Sequence, residues 1–168
     1  MNKKNVFFTP IALLCGIACA ITGIASLVLF GAPLCSINVL RGMNIFPPIW
    51  IYNLISTVWY FLIGAAYGAI LEANTRRINS GDIETAAHKG GAFLISAFWL
   101  SIIRHFLLFY AGRLFIALLL SCICVLCSLI ASIIWRKAYP RVSSVTVLGF
   151  TIWQFYNLLL SFSVFLHN

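Results

Sequence analysis

The chain has 168 residues, of which 62% are hydrophobic and 8% are charged, and its formal net charge is +8 at pH 7. Because a soluble domain carries about 25% charged residues, this composition excludes an ordinary soluble protein and predicts an integral membrane protein. The positive charge does not indicate nucleic-acid binding, since the basic residues alternate between loops and do not gather on one soluble face. The lipid bilayer is therefore the first expected partner.

An apolar run from about residue 6 to about residue 31 follows Lys3 and Lys4. A cleaved signal peptide is the competing interpretation, because the small residues at positions 18–20 imitate a cleavage region. The run continues for about ten residues beyond that point and reaches the ~20 residues that a bilayer-spanning helix needs. We therefore expect a first transmembrane helix that is not cleaved.

Four further apolar segments follow, and they predict helices over about residues 50–72, 91–111, 114–135 and 142–166. Pro33 and Gly42 interrupt residues 32–46, which we expect to form a loop with partial structure. The stretch 73–90 is polar and is expected to be a connection rather than a domain. The predicted fold class is all-α, with residues 1–168 forming a single domain, an integral membrane bundle of five transmembrane helices.

The charges of the loops predict the orientation of the five helices. The opposite side from the N-terminus holds only Arg41 and Arg113. The N-terminal side holds eight basic residues: Lys3, Lys4, Arg76, Arg77, Lys89, Arg136, Lys137 and Arg141. The positive-inside rule then places the N-terminus in the cytoplasm and the C-terminus outside. The start of the chain lacks the arginine- and serine-rich character of a transit peptide, so we expect a bacterial plasma (inner) membrane.

Residue types that carry out catalysis are scarce. The three acidic residues, Glu72, Asp82 and Glu84, lie in or beside the second loop, so no carboxylate pair inside the membrane serves as acid and base. The six cysteines lack the spacing and the supporting residues of a metal or redox site; we expect Cys35, in the outer loop, to be accessible and the other five to be packing residues. We therefore predict a protein that is not an enzyme, has no metal site and requires no cofactor.

Arg104 and His105, inside the third predicted helix, are the exception. A charge within a membrane span marks a candidate functional site, because a lipid-facing charge at the bilayer centre costs at least ~2.5–3.5 kcal/mol. The alternative is that Arg104, about 10 Å from the helix end, extends its long side chain to the interface. His105 is a candidate ligand contact or axial haem ligand, although a lone histidine is more often a hydrogen-bonded packing residue. The sequence leaves these alternatives open.

Two prolines mark the entry to the second helix. Pro47 and Pro48 fix φ and remove two backbone donors, so a helix begins only after them. Trp50 then lies at the depth where an indole contacts both lipid and water, and Tyr60, close to three turns later, is expected near the same face. Small residues repeat every four positions in the first helix and again from Gly64 in the second. Such stripes allow close helix packing, either within the chain or in a homodimer.

Several of these residues together resemble one protein family. Phe109 to Arg113 resembles the end of the third helix of the TspO/MBR family, and the spacing from Arg113 to Trp153 continues without a gap. Leu54 and Ser56 stand where that family usually has a proline and a tryptophan, so the chain resembles a divergent member. This family comprises the tryptophan-rich sensory proteins and the mitochondrial translocator, or peripheral benzodiazepine receptor. The first loop and second helix resemble it at Leu40, Phe46, Pro47, Pro48, Trp50, Tyr60 and Gly64.

The resemblance implies a pocket beneath the first loop that accepts a tetrapyrrole, such as protoporphyrin or haem, or a similar flat apolar molecule. The protein would then be a receptor-like sensor or a carrier in transport. Such a ligand favours stacking rings and few charges, and Arg104 could meet a propionate. Each aromatic ring has an alternative role as an interfacial anchor or a packing residue. The candidate ligand-binding residues are Phe46, Pro47, Pro48, Trp50, Tyr60, Gly64, Trp99, Arg104, His105 and Trp153.

Two other functions stay open beside ligand binding. The first is a structural or partner-binding membrane protein that has lost its pocket. The second is an enzyme that degrades porphyrin by an oxidative route, which the lack of acid–base residues in the membrane ranks last.

Overall fold

A computed structural model describes residues 9–30, 47–76, 81–139 and 142–166 of the chain. The described residues form five helices. In chain order they are α1, Pro10–Phe30; α2, Ile49–Arg76; α3, Gly81–His105, continued by a π-helical turn over Phe106–Tyr110; α4, Leu114–Ala138; and α5, a π-helical turn over Ser143–Val147 followed by an α-helix over Leu148–Leu166.

Each of the five helices is long and apolar enough to cross a membrane, with candidate spans of 20 to 27 residues. Within the described ranges there is no β-strand. Large apolar side chains such as Leu14, Val28, Ile133 and Ile152 are exposed on the outside of the bundle, as expected for contact with lipid. The prediction of an all-α membrane bundle of five helices is therefore confirmed.

The connection between α2 and α3 is shorter than predicted. α3 begins at Gly81 rather than near residue 91, so the prediction of a polar connection over residues 73–90 is wrong for most of its length. Several of these polar residues lie instead in the first turns of α3. Thr85 Oγ1 donates to the carbonyl of Gly81 at 2.8 Å, and Glu84 Oε1 lies 3.8 Å from His88 Nε2, one turn later. An acidic residue near a helix N-terminus also interacts favourably with the helix dipole.

The helices close into a ring. α1 packs along α2, α3 along α4, and α4 along α5. Contacts between α1 and α3 complete the ring on one side, and contacts of α2 with the first turn of α5 complete it on the other. The cyclic order is therefore α1, α2, α5, α4, α3. We call the end at which α3 turns into α4 the Gly112 end.

Glycine allows α1 and α2 to approach each other closely. A Cβ atom at Gly64 would clash with the carbonyl oxygen of Cys15, and one at Gly68 would lie 2.8 Å from Cα of Ala12. The small-residue stripes of the two helices therefore face each other, so they serve helix packing within the chain. A homodimer would have to use other faces of the bundle.

A π-helical turn and a glycine shape the end of α3. The backbone N–H of Ala111 donates to the carbonyl of Phe106, five residues earlier, at 3.0 Å. Gly112 follows with a φ of 63°, a left-handed conformation that glycine adopts without strain. The chain then reverses into α4. π-helical turns are frequent at functional sites, and this one directly follows Arg104 and His105.

Two apolar clusters fill the interior of the bundle. The larger one includes Tyr60, Phe98, Trp135 and Phe150, and the one at the Gly112 end includes Leu108, Phe109, Leu160 and Val164. Buried polar residues of α2, α3 and α5 lie where these two clusters meet.

Candidate functional site

Four buried side chains from three helices meet in the interior. We call them the polar cluster: Tyr52 of α2, Arg104 and His105 of α3, and Asn157 of α5. None has more than 1% of its area exposed. Tyr52 Oη donates to Asn157 Oδ1 at 2.6 Å and lies 2.8 Å from His105 Nε2. Arg104 Nη2 lies 3.1 Å from each of three acceptors, namely Tyr52 Oη, His105 Nε2 and Asn157 Oδ1.

The partners of His105 define where its proton lies. Nδ1 is 2.6 Å from the carbonyl oxygen of Ser101, and because a carbonyl oxygen only accepts, Nδ1 carries the proton. Nε2 faces an N–H of Arg104, which only donates, so Nε2 is an acceptor and the imidazole is neutral. His105 therefore adds no charge to the polar cluster.

The guanidinium of Arg104 is buried without an acidic partner. Its exposed area is 0%, so the alternative in which it extends to the membrane interface does not describe this structure. Nε and Nη1 have no hydrogen-bond partner, which leaves three of the five N–H groups unpaired. The acidic residues of the sequence all lie about 20 residues away along α2 or α3, roughly 30 Å at 1.5 Å per residue. The cluster thus holds a positive charge that no acidic side chain neutralises.

Further polar groups extend from the cluster toward the middle of the bundle. Tyr60 Oη lies 3.1 Å from Ser101 Oγ, and Gln154 Nε2 donates to the same oxygen at 3.4 Å. Gln154 Oε1 and Ser56 Oγ are buried without a partner. Such atoms are rare in proteins, and each would need a water molecule or another polar group to satisfy it.

Aromatic rings line one side of the polar cluster. The ring of Trp153 lies 5.5 Å from that of Tyr52 and 5.2 Å from that of Tyr156, at 23° to the latter. Phe109 stacks on His105, with 6.0 Å between the ring centres. A guanidinium beside several rings is suited to a flat apolar ligand with a charged substituent.

The structure brings together some of the predicted site residues and separates others. Tyr60, Arg104, His105 and Trp153 belong to the polar cluster or lie beside it. Trp50, in contrast, has 65% of its area exposed, whereas Tyr60 is buried. Ten residues turn a helix by about 1,000°, some 80° short of three turns, so the prediction that these two residues share a face is wrong.

The two prolines lie directly before α2, as predicted from the sequence. Pro47 and Pro48 precede the first residue of α2, and the carbonyl of Pro48 accepts from the N–H of Ile51 at 2.9 Å and of Tyr52 at 3.1 Å. Pro47 is half-buried and Pro48 is exposed. Phe46 lies outside the described residues, so its predicted contact with a ligand stays a prediction.

Gly64 and Trp99 lie on a different feature, an apolar crevice of about 290 Å³ between α1, α2 and α3. Cys19, Ile63 and Phe98 also line it, and none of its lining residues is charged. This volume is near the lower limit of small-molecule pockets, about 300 Å³. The ten predicted site residues therefore do not form one site in the described part of the chain.

Three members of the site were not predicted from the sequence. Tyr52 and Asn157 complete the polar cluster, and Gln154 adds the unpaired amide oxygen beside it. The available signal was the spacing of Gln154 and Asn157, two amide side chains three residues apart in an apolar span and hence on one helix face. Amides inside a membrane helix seek partners on neighbouring helices, which makes them candidates for the interior.

Among the described residues, no three His, Cys, Asp or Glu side chains lie close enough together to hold a metal ion. Comparison of the chain with protein-family models, with curated proteins and with solved structures found no match. The resemblance to the TspO/MBR family therefore stays a prediction that rests on the residues quoted for it.

Proposed function

We propose that the chain is a membrane-embedded binding protein for a tetrapyrrole such as protoporphyrin or haem, or for a similar flat apolar ligand, and that it acts as a sensor or carrier. The observation that supports this most is the guanidinium of Arg104, buried with unpaired N–H groups beside aromatic rings. Helices that only pack together are more stable with apolar side chains there, because an unneutralised buried charge is unfavourable. The buried charge therefore supports ligand binding over helix packing alone.

The ligand would lie in the half of the bundle nearest the Gly112 end. Its apolar face would contact Trp153 and the neighbouring aromatic rings, and its polar edge would face Arg104. Pro47 and Pro48 directly precede α2, about one turn before Tyr52, so the start of α2 lies at this end of the bundle. Trp50, exposed and two positions before the buried Tyr52, lies on the outer side of α2 and has no contact with the ligand in this proposal. Binding rather than catalysis is proposed, since the acidic residues are remote from the cluster.

We infer the orientation from the basic residues of the loops. Eight of them fall on the side of the N-terminus and two on the other, which supports a cytoplasmic N-terminus and an external C-terminus in a bacterial plasma membrane. The Gly112 end, with the polar cluster, would then lie in the outer half of the bilayer.

The experiment that tests the proposal is a titration of the purified protein with protoporphyrin IX and with haemin, followed by quenching of tryptophan fluorescence. The expected result is saturable binding at one site. Trp153→Leu should weaken it by about 2- to 10-fold, because a ring contact is lost. Trp99→Leu is the matched control, since Trp99 lines the apolar crevice instead.

Quenching that does not saturate and is the same in both variants would contradict the proposal. The alternative function, a structural or partner-binding membrane protein, would then be favoured. Weaker binding in Trp99→Leu alone would place the ligand in the crevice between α1, α2 and α3.

A further inference from the structure

We propose that the apolar crevice between α1, α2 and α3 binds one acyl chain of a bilayer phospholipid, from the leaflet in which α1 begins. This site is separate from the polar cluster and does not depend on the proposed function. The chain fills the space between α1 and α3, two helices that make little contact with each other.

The lining of the crevice matches a hydrocarbon chain. None of the lining residues is charged, and almost all of the lining surface is apolar. Thr22 lines the crevice, but its Oγ1 donates to the carbonyl of Ala18 at 2.9 Å, so this hydroxyl is already bonded within α1. Pockets for small molecules usually contain a few precisely placed polar groups that orient the ligand. The lining therefore favours an occupant that needs no polar contact.

The depth of the crevice is that of acyl chains. The candidate span of α1 begins at Pro10, and its residues in the lining run from Cys15 to Thr22. At 1.5 Å per residue, these two positions lie about 7.5 and 18 Å along α1 from Pro10. Half of the hydrocarbon core of a bilayer is about 15 Å thick. The crevice thus extends from the middle of one leaflet to just past the bilayer centre, where the far halves of acyl chains lie.

The crevice is continuous with the lipid-facing surface of the bundle. Trp99 of α3, at its edge, is 51% exposed, and Ala18 of α1 is also exposed. One turn further along each helix, Ile21 and Ile103 are exposed as well. Because lipid contacts both helices beside the crevice, an acyl chain can enter sideways from the bilayer without passing through water.

Two other occupants fit this crevice less well. A tetrapyrrole carries polar or charged substituents, and the lining offers them no partner. A helix of a second copy has a diameter of about 10–12 Å, so only single side chains of it would enter a volume of about 290 Å³. A stable interface between copies buries at least about 1,200 Å², which the crevice alone does not supply.

A chain in the crevice also supports one side of the polar residues in the interior. Phe98 lines the crevice, and its ring centre lies 5.2 Å from that of Tyr60 in an edge-to-face contact at 87°. Tyr60 in turn contacts Ser101 through its hydroxyl group. An unfilled space beside Phe98 would cost this ring its van der Waals contacts on one side. The acyl chain supplies those contacts and so stabilises the packing against which Tyr60 rests.

The test detects contacts between lipid chains and isoleucine methyl groups by NMR. The protein carries ¹H,¹³C-labelled isoleucine methyl groups in a deuterated background, in nanodiscs of phosphatidylcholine with protonated chains. Nuclear Overhauser effects from the chain methylenes should reach Ile63, which lines the crevice. They should not reach Ile70, which is equally buried on the same helix. Lipid deuterated only in the far half of its chains should abolish the effect at Ile63.

Ala18→Phe should block the crevice. Because Ala18 lines the crevice and is exposed to lipid, a phenyl ring can occupy the crevice without displacing a buried side chain. The effect at Ile63 should be lost in Ala18→Phe. It should be kept in Ala25→Phe, a control at an exposed position two turns further along α1 that does not line the crevice. The comparison of Ile63 with Ile70 needs no variant, so it decides the point even if Ala18→Phe does not fold.

Each outcome supports or overturns the proposal. Absence of a lipid contact at Ile63 in the wild type, or an equal contact in Ala18→Phe and Ala25→Phe, would overturn it. Protoporphyrin IX is then added to the wild type, and the contact at Ile63 should stay unchanged whether or not the porphyrin binds elsewhere. Failure of the proposed function therefore leaves this result standing. Loss of the contact on addition of porphyrin would place the porphyrin in the crevice and overturn the lipid site.

Discussion

Arg104 of α3 donates through Nη2 to Oδ1 of Asn157 on α5, with 3.1 Å between the two atoms. The amide oxygen also accepts from Tyr52 Oη at 2.6 Å, so one side chain of α5 satisfies donors from two other helices. This arrangement holds the guanidinium in place without neutralising it. The stability of the bundle and its proposed affinity for a ligand are therefore linked at the same residues.

Replacing Arg104 with methionine should stabilise the protein in the absence of ligand. The substitution removes an unneutralised buried charge, and Tyr52 and Asn157 keep their bond to each other. Replacement of buried ionic groups by apolar ones is often stabilising by about 1–4 kcal/mol. The measurement is the free energy of unfolding in mixed micelles with increasing sodium dodecyl sulfate. A loss of stability would mean that the charge is neutralised in the ligand-free protein.

Asn157→Asp should also raise the free energy of unfolding, because it adds a negative charge instead of removing the positive one. The new carboxylate keeps both acceptor contacts and supplies the missing negative charge beside Arg104. Asn157→Leu, which removes the acceptor from two buried donors, should lower stability by about 1–3 kcal/mol. If Asp and Leu at this position destabilise to the same extent, the contact between Asn157 and Arg104 is not the one described.

Gly64→Val should destabilise the packing of α1 on α2. Even a Cβ atom would meet the carbonyl oxygen of Cys15, and a backbone atom cannot rotate away as a side chain does. We expect a loss of about 1–3 kcal/mol, typical of an overpacked interface. Gly81→Ala is the control, because nothing lies within 4 Å of a Cβ atom there. Equal Tm values for the two variants would contradict the close approach of the helices.

Tyr60→Phe should reduce stability by about 0.5–1.5 kcal/mol, the usual contribution of one hydrogen bond. The lost contact joins Tyr60 Oη to Ser101 Oγ at 3.1 Å, where both residues are buried. Ser101→Ala should cause a similar loss, and the double variant should lose less than the sum of the two. Strict additivity in this double-mutant cycle would show that the two hydroxyl groups do not interact.

The proposed orientation predicts which cysteines a membrane-impermeant thiol reagent reaches in intact cells. In a background without the native cysteines, Ala111→Cys, at the Gly112 end, should react from outside. Thr85→Cys, at the start of α3, should react only after the cells are opened. Both positions are exposed, so burial does not hide either one. The reverse labelling pattern would place the N-terminus outside.

The sequence predicts the five helices because a run of about 20 apolar residues has few alternatives to crossing the bilayer. The same reasoning fails over residues 73–76 and 81–90, where polar composition predicts a connection but the structure has helix, because a helix continues readily into water. Composition indicates where a helix leaves the membrane, and it does not indicate where the helix ends.

The candidate site was predicted only in part. Arg104 and His105 stood out because charge and imidazole are rare in a membrane span. Their partners Tyr52 and Asn157 are separated from Arg104 by 52 and 53 positions, and no periodicity within one helix reveals such contacts. Trp50 stood out by its spacing from Tyr60, yet its side chain points outward. Ten residues are not a whole number of helical turns, so the two side chains lie on different faces of α2.

The most direct test of the account is a distance measurement by solid-state NMR between a bound ligand and Arg104. Protoporphyrin IX labelled with ¹³C at its carboxyl groups is bound to protein labelled with ¹⁵N in arginine, and the dipolar coupling is recorded. A carboxyl carbon is expected about 4 Å from guanidinium nitrogens, as in a charge-assisted hydrogen bond, and no such coupling is expected in Arg104→Lys. A coupling that persists in Arg104→Lys, or no coupling with ligand bound, would contradict this expectation.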